Sequence, residues 1–419
     1  MRESVTRPEH HLSDPGKEAR ARSGIPIVPA FDGYRAWAIM AIVMLHMTAI
    51  SGVAGPGVEN AFTRLIWGAL GNAVELLFIV SGFVVFLPTV ARRGDFGSIA
   101  SFAIRRGARL LPAYWMILLI SLPVIAVFDP PYSALPGLRD LLLNFSALTV
   151  PVGLFVPGIS IGFGLDPPLW TLSVEVGFYL VLPFVASIFF RKPVAGLLVS
   201  LAVTAAWTIA FDHVSEVTDL IATAPDFGEL VRLKLSSELQ LPAWAYSFGL
   251  GMFGAWVWVR ISERQGRGEA EAPVPRSGPA PAALIALVSG LALIPLVWVI
   301  GGDYSNTRAS LLLSLLFSTL VAIFMVSLSL APRNWQTPFA AQPIRNLGDI
   351  SYGIYLSHMV ITYTIAGELT LPQDGNLKSL LIWTAVVVPL SVIYGYLSAR
   401  FLEQPIRRWA RKYGRRVPD

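Results

Sequence analysis

The chain has 419 residues, 54% hydrophobic and only 14% charged, whereas soluble domains average about 25% charged residues. The net charge of +5 comes from basic residues in short loops and at the chain ends, a distribution that excludes a nucleic-acid-binding surface. Cysteine is absent, which excludes disulfides, thiolate metal sites and a cysteinyl acyl-enzyme.

The opening segment, MRESVTRPEHHLSDPGKEARARSG, is polar and lacks the apolar core of a signal peptide, so residues 1–30 read as an uncleaved, disordered cytoplasmic tail. A spanning helix needs about 20 mostly apolar residues. By that measure spans fall at about 34–52, 66–88, 110–128, 169–190, 194–211, 242–260, 282–301, 309–330, 347–366 and 379–400. The pattern predicts an all-α polytopic membrane protein of about ten transmembrane helices. Runs that are apolar all round reveal a span but not which face points where.

Loop charge sets the direction. Arg92, Arg93, Arg105, Arg106 and Arg109 follow the second span, Arg191 and Lys192 the fourth, and Arg260, Arg264, Arg267 and Arg276 the sixth. Arg407, Arg408, Arg411, Lys412, Arg415 and Arg416 follow the tenth, while the loop after the fifth is acidic. By the positive-inside rule both termini are cytoplasmic. The transmembrane domain then occupies residues 31–410, with a basic tail at 411–419. Residues 266–282 read as a Pro/Gly/Ala linker. Asp129–Pro168 is too interrupted to span and is expected to lie over the outer face, with a short helix near Leu138–Leu148.

Ionisable residues inside lipid are costly and mark sites or pathways. Arg35 and His46 are eleven positions apart, three turns plus about 20°, so they share a face of the first span with a rise of about 16 Å. Arg35 alone also reads as a snorkelling helix-end arginine, and His46 as a hydrogen-bonded packing residue. His358 lies in LGDISYGIYLSHMVI with Ser351 on nearly the same face and Tyr352 beside it; a cluster joining spans is an equal reading. Glu75 and Glu175 come early in inward-running spans, at depths comparable with the two histidines, where a carboxylate would raise and orient an imidazole. Trp170 reads first as an interfacial aromatic. Arg106 and Arg109 are three apart, suited both to an inside anchor and to gripping phosphates at the cytoplasmic surface. Asp32 reads as the N-cap of the first span. A proton-coupled transporter or exporter of a glycan or its precursor fits these residues as well as an enzyme does.

The segments FDGYRAWAIMAIVMLH, VELLFIVSGFVVF, FAIRRGARLLPAYW, LWTLSVEVGFYLVLP, LGDISYGIYLSH and FLEQPIRRW resemble, in order, the signature regions of the acyltransferase 3 family, over residues 30–410. Those are integral-membrane O-acyltransferases of surface glycans, lipid-linked sugars, peptidoglycan or macrolide-type metabolites. The resemblance implies acyl-CoA, acetyl-CoA first, as co-substrate, no tightly bound cofactor or metal, and residence in the bacterial cytoplasmic membrane. It implies that Arg35 and His46 form the family's arginine–ten–histidine motif, with His46 essential and catalytic. It implies that Arg106 and Arg109 form the donor-side double-arginine motif, joined there by Arg35. Glu175 matches the glutamate of Trp-x-x-Ser-x-Glu, through Trp170 and Ser173, and is expected to orient His46 or hold the acceptor. Glu75, Ser351, Tyr352 and His358 complete the expected polar cluster. Glu75 stands where the pattern usually has aspartate, and Val176-Gly177 replaces a more polar pair. No hydrolase-like domain is expected after the last span.

Overall fold

The computed structural model describes residues 25–53, 60–128, 135–155, 166–213, 227–264, 280–301 and 311–414, and every regular element among them is helical. The expected polar tail, linker and acidic outer loop lie largely outside the described residues.

In chain order the helices are α1 (Pro29–Ile50), α2 (Ala61–Leu70), α3 (Ala73–Ala91), α4 (Ile99–Phe128), α5 (Leu138–Ser146) and α6 (Thr149–Phe155). A 3-10 turn at Pro167–Leu169 leads into α7 (Trp170–Arg191), α8 (Pro193–Asp212), α9 (Phe227–Glu238), α10 (Leu241–Arg264) and α11 (Ala280–Ile300). Then come α12 (Leu311–Leu330), α13 (Arg333–Ala340), α14 (Gln342–Glu368), α15 (Leu377–Leu397), a π-helical turn at Ser398–Glu403, and α16 (Gln404–Gly414).

Local chemistry sets several boundaries. Pro29 sits in the first turn of α1, where its fixed φ suits a helix and its missing N–H is no loss. That start places Asp32 inside the first turn rather than at the cap, where it pairs with Arg345 at 3.8 Å. Asn60 and Thr63 close α2 with a reciprocal capping box. Asn376 caps α15 by accepting the Ser379 N–H at 2.9 Å.

Among the described residues, eight helical stretches are long and apolar enough to cross a membrane. They match the expected spans except the sixth and ninth. Those two correspond to α10 and α14, of 24 and 27 residues, which have spanning length but more polar sequences. The physical reason is their position. Helix α14 is walled by α1, α4 and α15, and α10 by α3, α8 and α12, so neither needs a fully apolar surface. By contrast α8 buries only Thr204, and α8 and α11 expose Leu198, Val199, Leu287, Val288, Leu291 and Ile294, as lipid-facing helices do.

Helix α4 begins eleven residues before the expected span. Arg105, Arg106 and Arg109 therefore lie within a continuous 30-residue helix, not ahead of it.

Residue pairings give relative directions. Helices α3 and α10 run parallel at close range, Phe78 meeting Trp244 and Phe83 lying beside Gly254; between them Gly82 and Gly251 face the carbonyls of Phe248 and Ile79, where a side chain would collide with backbone. Helices α4 and α14 also run parallel, Tyr352 meeting Leu110 and Gly367 meeting Phe128. Helix α1 opposes α3, Phe31 stacking on Phe83 at 3.6 Å, and opposes α12, where the Tyr34 hydroxyl donates to the Met325 carbonyl. Helix α5 docks on α4: Tyr114 and Trp115 donate to the carbonyls of Asn144 and Phe145.

Candidate active site

Helices α1 and α14 lie side by side in the same direction. Asp32 meets Arg345, Arg35 senses the charge of Asp349, and His46 meets His358. This seam carries Arg35, His46 and His358.

At its far end His358 is fully buried, with Nδ1 2.6 Å from the Tyr355 carbonyl. A carbonyl only accepts, so Nδ1 carries the proton and Nε2 of the neutral ring is a lone pair. His46 Nδ1 lies 3.1 Å from that Nε2, and its N–H donates there, with the Ile42 carbonyl one turn back as a second acceptor. The remaining nitrogen, His46 Nε2, is then an unprotonated lone pair. No hydrogen bond reaches it among the described residues. The Tyr355 hydroxyl donates to the Pro168 carbonyl and lies 2.7 Å from Thr171 Oγ1, which ties the histidine pair to the start of α7.

About three helix turns back from His46 along α1, Arg35 joins a charged cluster. The Arg106 guanidinium sits 5.3 Å from the Tyr179 ring centre and 5.6 Å from that of Phe102. Arg35 and Arg106 both sense Arg109 and Glu175. Glu175 accepts from the Tyr179 hydroxyl and, at 3.1 Å, from Ser81. The structure thus places Arg35, Arg106 and Arg109 within electrostatic reach of one another. It brings Glu175 to them and not to His46, whose imidazole is met by His358 instead.

The other expected residues spread out. Glu75 faces another side of α3, accepting from Ser318 beside a small cavity lined by Trp244, Tyr246, Ser247 and Ser314. Trp170 packs by its edge near Phe78 and against Trp244, while Ser173 is buried on α7. Ser351 donates back to the Gly348 carbonyl, and Tyr352 reaches across to Leu110. Ser351 therefore closes its own helix instead of joining His358.

Sequence reasoning missed three carboxylate environments. Tyr179 and Ser81 hold Glu175, and only the spacing of Tyr179 four residues on gave a signal. Glu403 is 1% exposed in the π-helical turn, bonded to Ser398 and ion-paired to Arg407 at 2.6 Å. Its run FLEQPIRRW is one of the segments that carry the family resemblance. Asp166 is buried just ahead of the Pro-Pro turn, and burial pushes its carboxyl well above the usual carboxylate range.

A family model described as an acyltransferase domain matches residues 28–400. The chain is 26% identical over 403 residues to peptidoglycan O-acetyltransferase OatA of Listeria monocytogenes, covering 91% of this chain and 56% of that protein. It is 32% identical over 164 residues to acyltransferase MdmB of Streptomyces mycarofaciens, covering 37% of this chain and 38% of that one. Nodulation protein 10 of Rhizobium leguminosarum is 30% identical over 158 residues, covering 35% and 41%. The chain thus spans about half or less of the length of these relatives. No solved structure matches it.

Proposed function

The chain belongs to this acyltransferase family, and from that premise we propose that it is a membrane O-acyltransferase moving an acyl group, acetyl first, from acyl-CoA to a hydroxyl of a cell-envelope glycan, lipid-linked sugar or macrolide-type metabolite. The observation that carries the reading is the free lone pair of His46 Nε2, on the same helix face as Arg35, whose arginine cluster lies about 16 Å away along α1.

Arg35, Arg106 and Arg109 bind the phosphates of CoA, with forked donors suited to that task. Glu175, fixed by Ser81 and Tyr179, positions the guanidinium groups around them. The acyl arm then runs along the seam toward the histidines. His46 Nε2 takes the proton of the acceptor hydroxyl as its oxygen attacks the thioester carbonyl. The tetrahedral oxyanion collapses, the C–S bond breaks, and the departing thiolate takes the proton back from His46; an ester and free CoA result. His358 holds the Nδ1–H of His46 throughout, so the reacting nitrogen keeps its lone pair and the imidazolium is stabilised when it forms.

Ten spans, both termini cytoplasmic and residence in the bacterial cytoplasmic membrane complete the reading. It puts the donor site on the cytoplasmic side and the base toward the other face. The pairwise helix directions support an alternating path: α1, α4 and α14 run one way, α3 and α10 another. The name of the Listeria relative makes peptidoglycan the first acceptor to try.

The test is transfer of labelled acetyl from acetyl-CoA to extracted envelope glycan by the purified chain in nanodiscs. His46→Ala is expected to lower it by about 10²–10⁴ at unchanged membrane abundance. Full transfer by that variant sinks the base assignment. Uptake of glycan into vesicles with no ester formed reverses the reading in favour of transport.

A further inference from the structure

Asp166 is a buried carboxylate that the mechanism above leaves unused. It is 6% exposed, and both of its oxygens are buried without a hydrogen-bond partner among the described residues. Three tyrosines from three helices sense its charge: Tyr114 of α4, Tyr355 of α14 and Tyr394 of α15. Two of those hydroxyls are committed elsewhere, Tyr114 to the Asn144 carbonyl and Tyr355 to that of Pro168. The third, the Tyr394 hydroxyl, is also buried without a partner.

A buried polar group left unpaired is costly, and native structures rarely tolerate one without a reason. A proton on Asp166 would serve as a donor only outward, and nothing described receives it. Here two such groups lie within electrostatic reach of each other and are not bonded to each other. A chain of contacts joins the Asp166 segment to the histidine pair. The Pro168 carbonyl, two residues on from Asp166, receives the Tyr355 hydroxyl; the Tyr355 carbonyl receives His358; and His358 meets His46. An incoming molecule that supplies O–H groups would satisfy both.

We propose that Asp166, with Tyr394, binds the acceptor by its neighbouring hydroxyls: the carboxylate accepts from a vicinal pair on a carbohydrate ring while a further hydroxyl meets His46. The assignment rests on the acyl-transfer reading above and names its acceptor class as a polyhydroxylated ring rather than an isolated alcohol. Asp166 is an acceptor-binding residue in this arrangement and takes no proton from the reacting oxygen.

The test uses the full chain in nanodiscs, labelled acetyl-CoA, and methyl β-glucoside with its monodeoxy analogues as surrogate acceptors. Wild-type protein is expected to prefer the glucoside over at least one deoxy analogue by about tenfold, the scale of one charge-assisted hydrogen bond. Asp166→Asn should raise the glucoside KM about tenfold, flatten that preference to about twofold and leave the acetyl-CoA KM unchanged. Tyr394→Phe should move the same quantities less. Thermal midpoints and nanodisc incorporation separate these effects from misfolding, and Asp166→Ala provides a second variant. The proposal is overturned if Asp166→Asn or Asp166→Ala, folded, keeps the wild-type preference, or if transfer to every surrogate falls equally. If wild-type protein esterifies no surrogate at a rate above His46→Ala, the acyl-transfer reading itself fails for sugar hydroxyls, and the Asp166 assignment falls with it. That outcome is distinct from a defect seen only in the variant.

Discussion

Glu75 and Glu175 look alike in the sequence. Each stands early in an apolar helix, and α3 and α7 start on the same side of the bundle, since both run parallel to α10. Their surroundings nonetheless differ. Glu175 takes hydroxyls from Ser81 and Tyr179 within reach of Arg35 and Arg106. Glu75 takes a hydroxyl from Ser318 beside a serine-lined cavity on another side of α3. Depth in the membrane follows from spacing along the helix. Direction around the axis does not, when every face is apolar, and it is the direction that decides which charges a carboxylate meets.

The comparison is sharpened most by removing the arginines that Glu175 faces and Glu75 does not share. Arg106→Ala combined with Arg109→Ala is expected to raise the acyl-CoA KM by roughly 10–100-fold, since a hydrogen bond to a charged group contributes about 1.5–3 kcal/mol. Acceptor KM should stay near wild type. Lysine at both positions should restore only part of the affinity, because it keeps the charge and loses the fork. Steady-state kinetics with each substrate varied separately reads both effects. An unchanged donor KM would falsify the phosphate-binding role.

Glu175→Gln comes next. The amide keeps an acceptor for Ser81 and Tyr179 but removes the charge that the arginines sense. The expected loss is about tenfold in kcat/KM for acyl-CoA, within the range of one charge-assisted contact. If the loss fell instead on acceptor KM, the original expectation that Glu175 serves the His46 side would be restored. His358→Gln should cost a comparable factor in kcat with donor KM unchanged. Glutamine has an acceptor to hold the His46 N–H but not the fixed ring whose Nδ1–H is tied to the Tyr355 carbonyl.

How far the sequence carried the reading follows from the same distinction. Eight spans were legible because apolar length is a one-dimensional property; α10 and α14 were legible as long helices, which polar residues set below the other eight. A grouping of Arg35 with Arg106 and Arg109 was suggested by motif resemblance, and a common face for Arg35 and His46 by helical geometry. The contact of His46 with His358 was not. It spans 312 residues, and nothing local says that α1 and α14 adjoin and run parallel. Asp166 was hidden for another reason: an aspartate before two prolines reads as a loop residue, and nothing local says that it is buried within reach of Tyr114, Tyr355 and Tyr394. The start of α4 was misplaced because arginines usually end a span. Here Tyr179, Phe102 and Glu175 give them neighbours inside the bundle, and the helix continues through them.

The smallest expected effect on activity is at Glu75, and it is the most informative about the pair. Glu75→Gln should change transfer by less than about twofold, because the residue faces α12 and the cavity rather than the seam. Stability should move instead. A buried carboxylate carries a desolvation cost that its neutral isostere avoids, so the thermal midpoint is expected to hold or rise by a few degrees, roughly the shift that 1 kcal/mol gives in a large domain. Ser318→Ala should do the opposite, leaving the Glu75 carboxylate without that donor at a cost of about 1–3 kcal/mol. In the double variant the two changes should not add, since each acts on the same contact. A large loss of transfer in Glu75→Gln at unchanged stability would place both carboxylates in the reaction, and the difference between the two sides of α3 would no longer separate structure from function.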